Sequence, residues 1–375
     1  MSSAAPFSRR AMREQLTAIA RAPRHVRINV EKPAHVASIM PGSMASGWRA
    51  AYQSAEEHYQ QPIPIHLTER DLLHYALIED SQGWLIWQRG ANNNVEPLTI
   101  HVDGVTYSGG EALTACHVRA IRDGRKVLDP SVIAGFTMAD VREHYRDDVT
   151  GNVAVQLLPE RLENFREVGR VLVDDFGGDF RNVLRTADGQ LYRDDGQGLV
   201  QLLVQKFPRS FSDWPMAKLA NVLALRLIRL RSIHRFSAEA DHLLDFSDLQ
   251  HIEVGADYYR PLFFLRVGVF EIGDELREKL RRRELIQAGS QMEREYRAFT
   301  ILAARDLGAQ IGQWSQIFVD LADETHAQPF LRCRRCRVGI SDEELPCPYR
   351  RVCKATHEDH QLMECGWPLV LTTEY

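Results

Sequence analysis

No apolar run in this 375-residue chain approaches the ~18–20 residues that cross a bilayer, so a membrane-spanning protein is not expected. A repeat of fixed period and a low-complexity linker are also missing, which excludes solenoid and bead-on-string layouts. Positive charge is not in excess: 46 Lys and Arg stand against 51 Asp and Glu, for a net −5. That balance gives no support for a broad electrostatic grip on nucleic acid. A secretory hydrophobic region is absent, so the expected compartment is the reducing cytoplasm. The Arg-rich start, residues 1–27, has some transit-peptide character. It carries Glu14, however, and runs into the strand-like "HVRINV", so it reads as part of the fold.

What is present is an ordinary globular composition, 44% hydrophobic and 26% charged, in a chain long enough for one large domain or two modest ones. Apolar residues recur mostly at helical spacing. They do so in "REQLTAIARA", "AHVASIM", "GEALTACHVRAIRDG", "LPERLENFREVGRVLVDDF" and "WPMAKLANVLALRLIRLRSIHRF". The same pattern continues in "VGVFEIGDELREKLRRRELIQAG" and "EREYRAFTILAARDLGAQIG". "DLLHYALIEDSQGWLIWQ" reads as a helix or strand that leads into a loop bearing tryptophans. Thr137 is a candidate N-cap for "MADVREHYRD". One stretch, "NNNVEPLTIHVDGVTYSGG", has the alternation and the Asp103-Gly104 turn of a β-hairpin. The expected fold is therefore mainly α, with a small β element near residues 95–108.

Cysteine usage is uneven. Cys116 sits alone in an apolar stretch and reads as core packing. The other five, Cys333, Cys336, Cys347, Cys353 and Cys365, crowd towards the end, with His357 and His360 nearby. The spacing Cys333-x2-Cys336-x10-Cys347-x5-Cys353 supplies two short-range thiolate pairs, which suits one tetrahedral structural Zn²⁺. The run "CPYRRVC" is also similar to the end of an iron–sulfur loop, which keeps a [4Fe–4S] cluster as the alternative metal group. The expected division is a domain over residues 1–325 and a Cys-rich, metal-binding segment over residues 326–375. "RCRRCR" in that segment is either a solvated charge run or a contact for phosphate or nucleic acid.

Several polar groups stand in unusual company. Asp257, in "GADYYRP", is flanked by small residues and two tyrosines. Taken alone it is a turn or N-cap aspartate, or a catalytic carboxylate. Lys218, in "WPMAKLANVL", opens a strongly apolar helix, where it either snorkels or meets an anion. Asp248 and His251 are three residues apart and can share a helical face. Glu293, Glu295 and Arg297 read as a buried ion-pair network.

Six stretches, in order, resemble the queuosine salvage family of queuosine 5′-phosphate N-glycosylases. They are "VDGVTYSG" (102–109), "ERLENFREVGRVLVDDFGGDFRNVLR" (160–185) and "LVQKFPRSFSD" (203–213), then "AKLANVLALRL" (217–227), "FSDLQHIEVGADYYRP" (246–261) and "GSQMEREYR" (289–297). The resemblance covers roughly residues 19–310. It implies a helical fold similar to the helix-hairpin-helix DNA glycosylases. It also implies hydrolysis of the N-glycosidic bond of a 7-deazaguanine nucleoside 5′-monophosphate, with queuine released for salvage into tRNA modification. By the same resemblance Asp257 is the catalytic carboxylate and Lys218 its partner on phosphate, sugar or water. Tyr258, Asp80, Trp87, Asp248 and His251 are the residues implied to line the substrate. No cofactor is needed for such a hydrolysis.

The departures from the family pattern fall in three stretches. Where the family has Asp-x-x-Asn-Phe-Ser-Phe-Trp, this chain has "DSQGWLIW", so Asp80 and Trp87 survive and the middle does not. "YSGGE" and "PLVLTTEY" likewise lose aromatic or basic residues that the family carries. Aromatic faces stack on flat bases, so these changes bear on which base is accepted. Two other readings stay open at this level: a glycosylase acting on a modified base within nucleic acid, and a silent nucleotide- or nucleic-acid-binding protein on the same fold.

Overall fold

Helices dominate because the apolar residues repeat at 3.6-residue spacing and the termini carry capping chemistry. The structure is a computed structural model; it describes residues 7–38, 67–90, 95–257, 260–311 and 349–375. In chain order the early elements are α1 (Arg9–Ala20), β1 (Val26–Ile28) and α2 (Lys32–Ser38). Next come α3 (Glu69–Ser81), β2 (Trp87–Arg89), β3 (Val95–Pro97), β4 (Thr99–Val102) and β5 (Val105–Ser108). A helical run follows: α4 (Gly110–Arg122), α5 (Pro130–Ile133), α6 (Met138–His144), α7 (Leu158–Phe176) and α8 (Phe180–Ala187). It continues as α9 (Leu199–Lys206), α10 (Pro208–Phe211), α11 (Lys218–Ile233) and α12 (Ala238–Leu243). The remainder is α13 (Arg260–Arg266), β6 (Phe270–Ile272), α14 (Asp274–Arg282), α15 (Gln291–Ile311) and the short α16 (Lys354–His357).

The chain divides into two compact units. One is built on Gln60–Asp248 with Met1–Ser8 and Thr372–Tyr375, the other on Arg9–Tyr59 with Leu249–Leu371. The expected division at residues 325 and 326 lies outside the described residues.

In the first unit α3, α7 and α11 supply a core of Leu73, Leu77, Phe165, Val168, Leu172, Leu223 and Leu227, all fully buried. Gly169 lets α7 and α5 touch: a methyl there would overlap the Ala134 amide nitrogen and the Pro130 carbonyl. Thr137 caps α6 as expected, and Asp140 answers it in a reciprocal capping box. The β4–β5 hairpin also forms as expected, with Val102 opposite Val105. Asp103 and Gly104 both take positive φ, 53° and 77°, as a tight hairpin turn demands.

Two further strand pairs form, of which the sequence pattern marks one strand each: Val95–Pro97 lies in the expected β element and Val26–Ile28 in the strand-like "HVRINV". Trp87–Arg89 pairs with Val95–Pro97. In the second unit, Val26–Ile28 pairs antiparallel with Phe270–Ile272, inside a stretch that reads as helix. Three residues are too few for alternation to show, and the pairing is long-range. Gly268 and Gly273 bracket β6 and are the breakers that end the helical pattern on either side. Glu295 on α15 secures this corner: its carboxylate accepts from the amides of Arg24 (3.0 Å), His25 (2.7 Å) and Val26 (3.2 Å). The expected network of Glu293, Glu295 and Arg297 is thus divided. Glu293 pairs with Arg297 at 3.4 Å, while Glu295 accepts from the backbone and from Gln291 Nε2 at 2.7 Å.

Candidate active site

Lys218 is the first residue of α11, and the chain turns sharply to place it there. Ala217 before it lies in the left-handed region at φ 46° and ψ 41°. For a residue with a Cβ this costs roughly 1–2 kcal/mol. Asp213 holds the turn, accepting from the Lys218 amide through Oδ2 at 3.2 Å. The residue is only 8% exposed, and its ammonium donates to the carbonyl of Gly83 at 3.2 Å. Gly83 belongs to one of the stretches where the chain departs from the family pattern.

Asp80 lies at the end of α3 beside Glu79, both buried. Arg226, two turns along α11 from Lys218, meets both. Its Nε and Nη2 donate to the two Asp80 oxygens at 2.9 Å each, and its Nη1 donates to Glu79 Oε2 at 3.1 Å. Thr114 donates to the other Glu79 oxygen. Burial pushes the Asp80 carboxyl above its ordinary value, with Arg226 and Lys218 pulling against it. Burial acts the same way on Glu79, but the Arg226 charge, His117 and the Thr114 hydroxyl outweigh it and hold Glu79 below its usual range. Asp80 is therefore clamped between helices. Its oxygens retain lone pairs, but the carboxylate has no freedom to swing.

Residues 81–87, after α3, make an irregular wall. Trp84 is buried, and its Nε1 donates to the Ser81 carbonyl at 3.0 Å. Leu85 sits at φ 50°, and its amide donates to the Tyr375 carbonyl at 3.1 Å. Trp87 opens β2 with its ring buried and its carbonyl held by Gln156 Nε2 at 2.7 Å. Its own indole N–H finds no acceptor among the described residues.

Asp248 takes a different position in this unit. Its two oxygens accept the amides of Leu191 (2.8 Å) and Tyr192 (3.0 Å), which ties down the 188–198 loop. Behind the wall, His117 and His144 share a 2.9 Å ring–ring hydrogen bond. Burial lowers His117 to about 4 and His144 well below its ordinary value. Both are neutral imidazoles at physiological pH.

In the second unit Asp257 precedes α13. Its Oδ1 accepts the Arg260 amide at 3.2 Å and its Oδ2 pairs with Arg260 Nη1 at 2.6 Å. The capping contact is real. An ion pair is added to it, and the carboxylate keeps 14% of its surface open. The preceding carbonyl, Ala256 O, is held by Arg297 Nε at 2.9 Å, so the backbone that presents Asp257 is fixed from α15. His251 ends a 3-10 turn, Leu249–His251, and is half-buried. A groove of about 720 Å³ in this unit, lined by Arg24, His25, Glu275, Lys279 and Gln291 among others, holds none of the candidate residues.

Tyr258 and three of the proposed metal ligands, Cys333, Cys336 and Cys347, lie outside the described residues. Cys353 is buried, and its thiol donates to the Arg266 carbonyl at 3.6 Å. Cys365 is buried as well, which pushes its thiol up. Cys116 is a core residue, as expected, with its thiol pushed up to about 12 by burial. Among the described residues no group of three or more His, Cys, Asp or Glu is arranged to hold a metal ion. No described helix is long and apolar enough to cross a membrane.

Arg161, Arg226, Thr114 and the histidine pair are contributors that periodicity alone does not disclose. A signal for Arg226 does exist: an acidic pair closing an apolar helix requires a buried cation, and "LALRLIRL" supplies one.

The protein is thus helical, with a buried Lys–Arg–carboxylate cluster beside a tryptophan-bearing wall and a separately anchored carboxylate. The chain belongs to the queuosine salvage protein family, whose model it matches over residues 64–318. Among its relatives is the queuosine 5′-phosphate N-glycosylase/hydrolase of Bos taurus, 24% identical over 263 residues, which are 70% of this chain and 71% of that one. The protein of the same name from Sphaerobacter thermophilus is 30% identical over 238 residues, covering 63% of this chain and 68% of its own. That from Schizosaccharomyces pombe is 24% identical over 251 residues, covering 65% and 71%.

Proposed function

We propose that this protein hydrolyses the N-glycosidic bond of a queuosine-like 7-deazaguanine nucleoside 5′-monophosphate and releases the free base. The observation that carries this reading is the family match, whose span includes both Lys218 and Asp257. As the C–N bond breaks, its electron pair leaves with the base and positive charge develops on the sugar ring. Asp257 supplies the facing negative charge and takes a proton from the attacking water; the base leaves as its anion and takes up one proton from solvent, to which the Asp257 carboxyl then returns its own. A 7-deazapurine has carbon at position 7, so it cannot be activated by protonation there. That places a greater share of the work on the carboxylate. Lys218 binds the phosphate or a sugar hydroxyl, and Tyr258, Asp80, Trp87, Asp248 and His251 shape the surroundings of the substrate. In this reading the helices follow the helix-hairpin-helix glycosylase arrangement and the enzyme works in the cytoplasm.

A phosphate far from the reacting bond offers binding energy that can be used in the transition state. The 5′-monophosphate should therefore be cleaved with kcat/KM at least about tenfold above that of the free nucleoside. Incubation with a panel of modified nucleosides and their monophosphates, with free base followed by mass spectrometry, measures this. Equal kcat/KM for the two forms would overturn it.

The reading extends to the Cys-rich segment, where Cys333, Cys336, Cys347 and Cys353 hold one structural zinc. It is supported by their spacing. Elemental analysis should give about one zinc per chain, and chelation should lower thermal stability. Iron with sulfide would assign the alternative cluster. Metal-free protein whose thiols titrate freely would remove the metal altogether. The "RCRRCR" run lies outside the described residues; beside the described end of the segment Arg277 pairs with Asp359 at 2.7 Å and Arg281 with Glu364 at 2.7 Å.

A further inference from the structure

Arg161 is 0% exposed, and its guanidinium is directed at main chain. Nη1 donates to the Gln82 carbonyl and Nη2 to the Trp84 carbonyl, both at 2.8 Å, and Nε donates to the Gln156 carbonyl at 3.2 Å. The same group lies over the Trp84 ring, 3.8 Å from its centroid. Gln82 returns the contact, donating from Nε2 to the Arg161 carbonyl at 3.3 Å. The carbonyl between those two, on Gly83, is the one that receives Lys218 Nζ. Alternate carbonyls of one short segment are thus divided between a buried arginine and the candidate active-site lysine. Two more carbonyls of the segment are also held: Ser81 by Asn164 at 3.1 Å and Ile86 by the Leu98 amide at 2.9 Å.

From this we infer that Arg161 is a positioning residue for the reaction. By gripping the carbonyls on either side of Gly83 it fixes the acceptor against which Lys218 is set, and with it the wall that carries Trp87. The inference rests on the proposed hydrolysis. Its physical basis is that a planar fork reaches several fixed acceptors at once, where an ammonium cannot. A buried fork joined to backbone restrains a loop more firmly than side-chain packing does, and small displacements of a catalytic group are costly.

Arg161→Lys keeps the charge and loses the fork. In the full chain it should lower kcat on queuosine 5′-monophosphate about tenfold while KM stays within about threefold. Because the effect runs through Lys218, it should disappear in the Lys218→Met background, so that the double variant is no slower than Lys218→Met alone. Additive losses, or an Arg161→Lys enzyme with wild-type kcat, would overturn the inference. Amide hydrogen exchange at Trp84 and Leu85 gives a readout that needs no turnover. It should quicken at least about tenfold in Arg161→Lys and stay unchanged in Lys218→Met. A wild-type protein that releases no base would overturn the proposed reaction, and exchange alone would then decide the role of Arg161. If Arg161→Lys does not fold, Trp84→Phe serves in the same cycle. It keeps a ring under the guanidinium and removes the bond to Ser81, and it must show the same dependence on Lys218.

Discussion

Asp257→Asn should yield a folded protein whose kcat is lower by about a hundredfold or more, with substrate binding nearly intact. The two carboxylate contacts make this substitution informative. Asparagine keeps an oxygen that can accept the Arg260 amide, so the cap before α13 survives. What it loses is the negative charge and the ion pair with Arg260. The ground-state nucleotide carries little positive charge at the anomeric carbon, so affinity should change little. The transition state carries much more, and it is the state that loses its partner. Arg260 is left with one contact fewer in a buried setting, so a modest fall in melting temperature is also expected; turnover is best compared well below the transition. Direct binding measurements and single-turnover kinetics separate the effects. A folded Asp257→Asn protein with near-normal kcat would show that the cap is the whole of this residue's role.

Much of the helical layout was legible, because amphipathic spacing and caps are local properties of the sequence. Thr137, the Asp103-Gly104 turn and the helix from Gly110 to Arg122 are cases where neighbouring residues suffice. Of the β1–β6 pair only β1 was legible, within the strand-like "HVRINV"; β6 and the pairing were not, because the partners lie some 240 residues apart in the chain and each is three residues long. The same distinction holds at the candidate site. Lys218 and Asp257 stand out because a charged residue among apolar or small neighbours is conspicuous, and the family resemblance gives each a role. Glu295 looked like a member of an ion-pair network because sequence shows charge and not direction. In the fold it faces three backbone amides, which no spacing rule reports. Arg161 lay within a quoted motif, yet its function depends on carbonyls about eighty positions away, and main-chain acceptors leave no mark in a sequence.

The largest stability effect should come from Arg226→Met. This change leaves Glu79 and Asp80 adjacent and buried without the guanidinium that contacts both. Removing one partner from a buried ionic cluster typically costs about 3–5 kcal/mol, because the remaining charge is uncompensated. At roughly 2–4 °C per kcal/mol for a unit of this size, the melting temperature should fall by about 10 °C or more. Arg226→Lys should lie between, since one ammonium cannot reproduce three directed bonds. The loss should also depend on pH, with a definite sign. In the wild type, burial raises Asp80, while Arg226 with its neighbours holds Glu79 low, so the two carboxyls shift in opposite directions. Without Arg226 the main force lowering either one is gone, and both folded-state values move upward. The native variant then binds more protons than its unfolded chain over the interval above the unfolded carboxyl values. Its stability must fall as pH rises through that interval. The deficit against wild type should therefore be smaller near about pH 5 than near about pH 8. Thermal unfolding of both proteins across that range measures the difference, and a deficit independent of pH would mean that the cluster is held by packing and not by charge. Lys218 gives a second reading of the same event. It already acts on Asp80, so two uncompensated carboxylates would draw its ammonium from the Gly83 carbonyl. At temperatures where Arg226→Met is still folded, turnover should therefore fall as well.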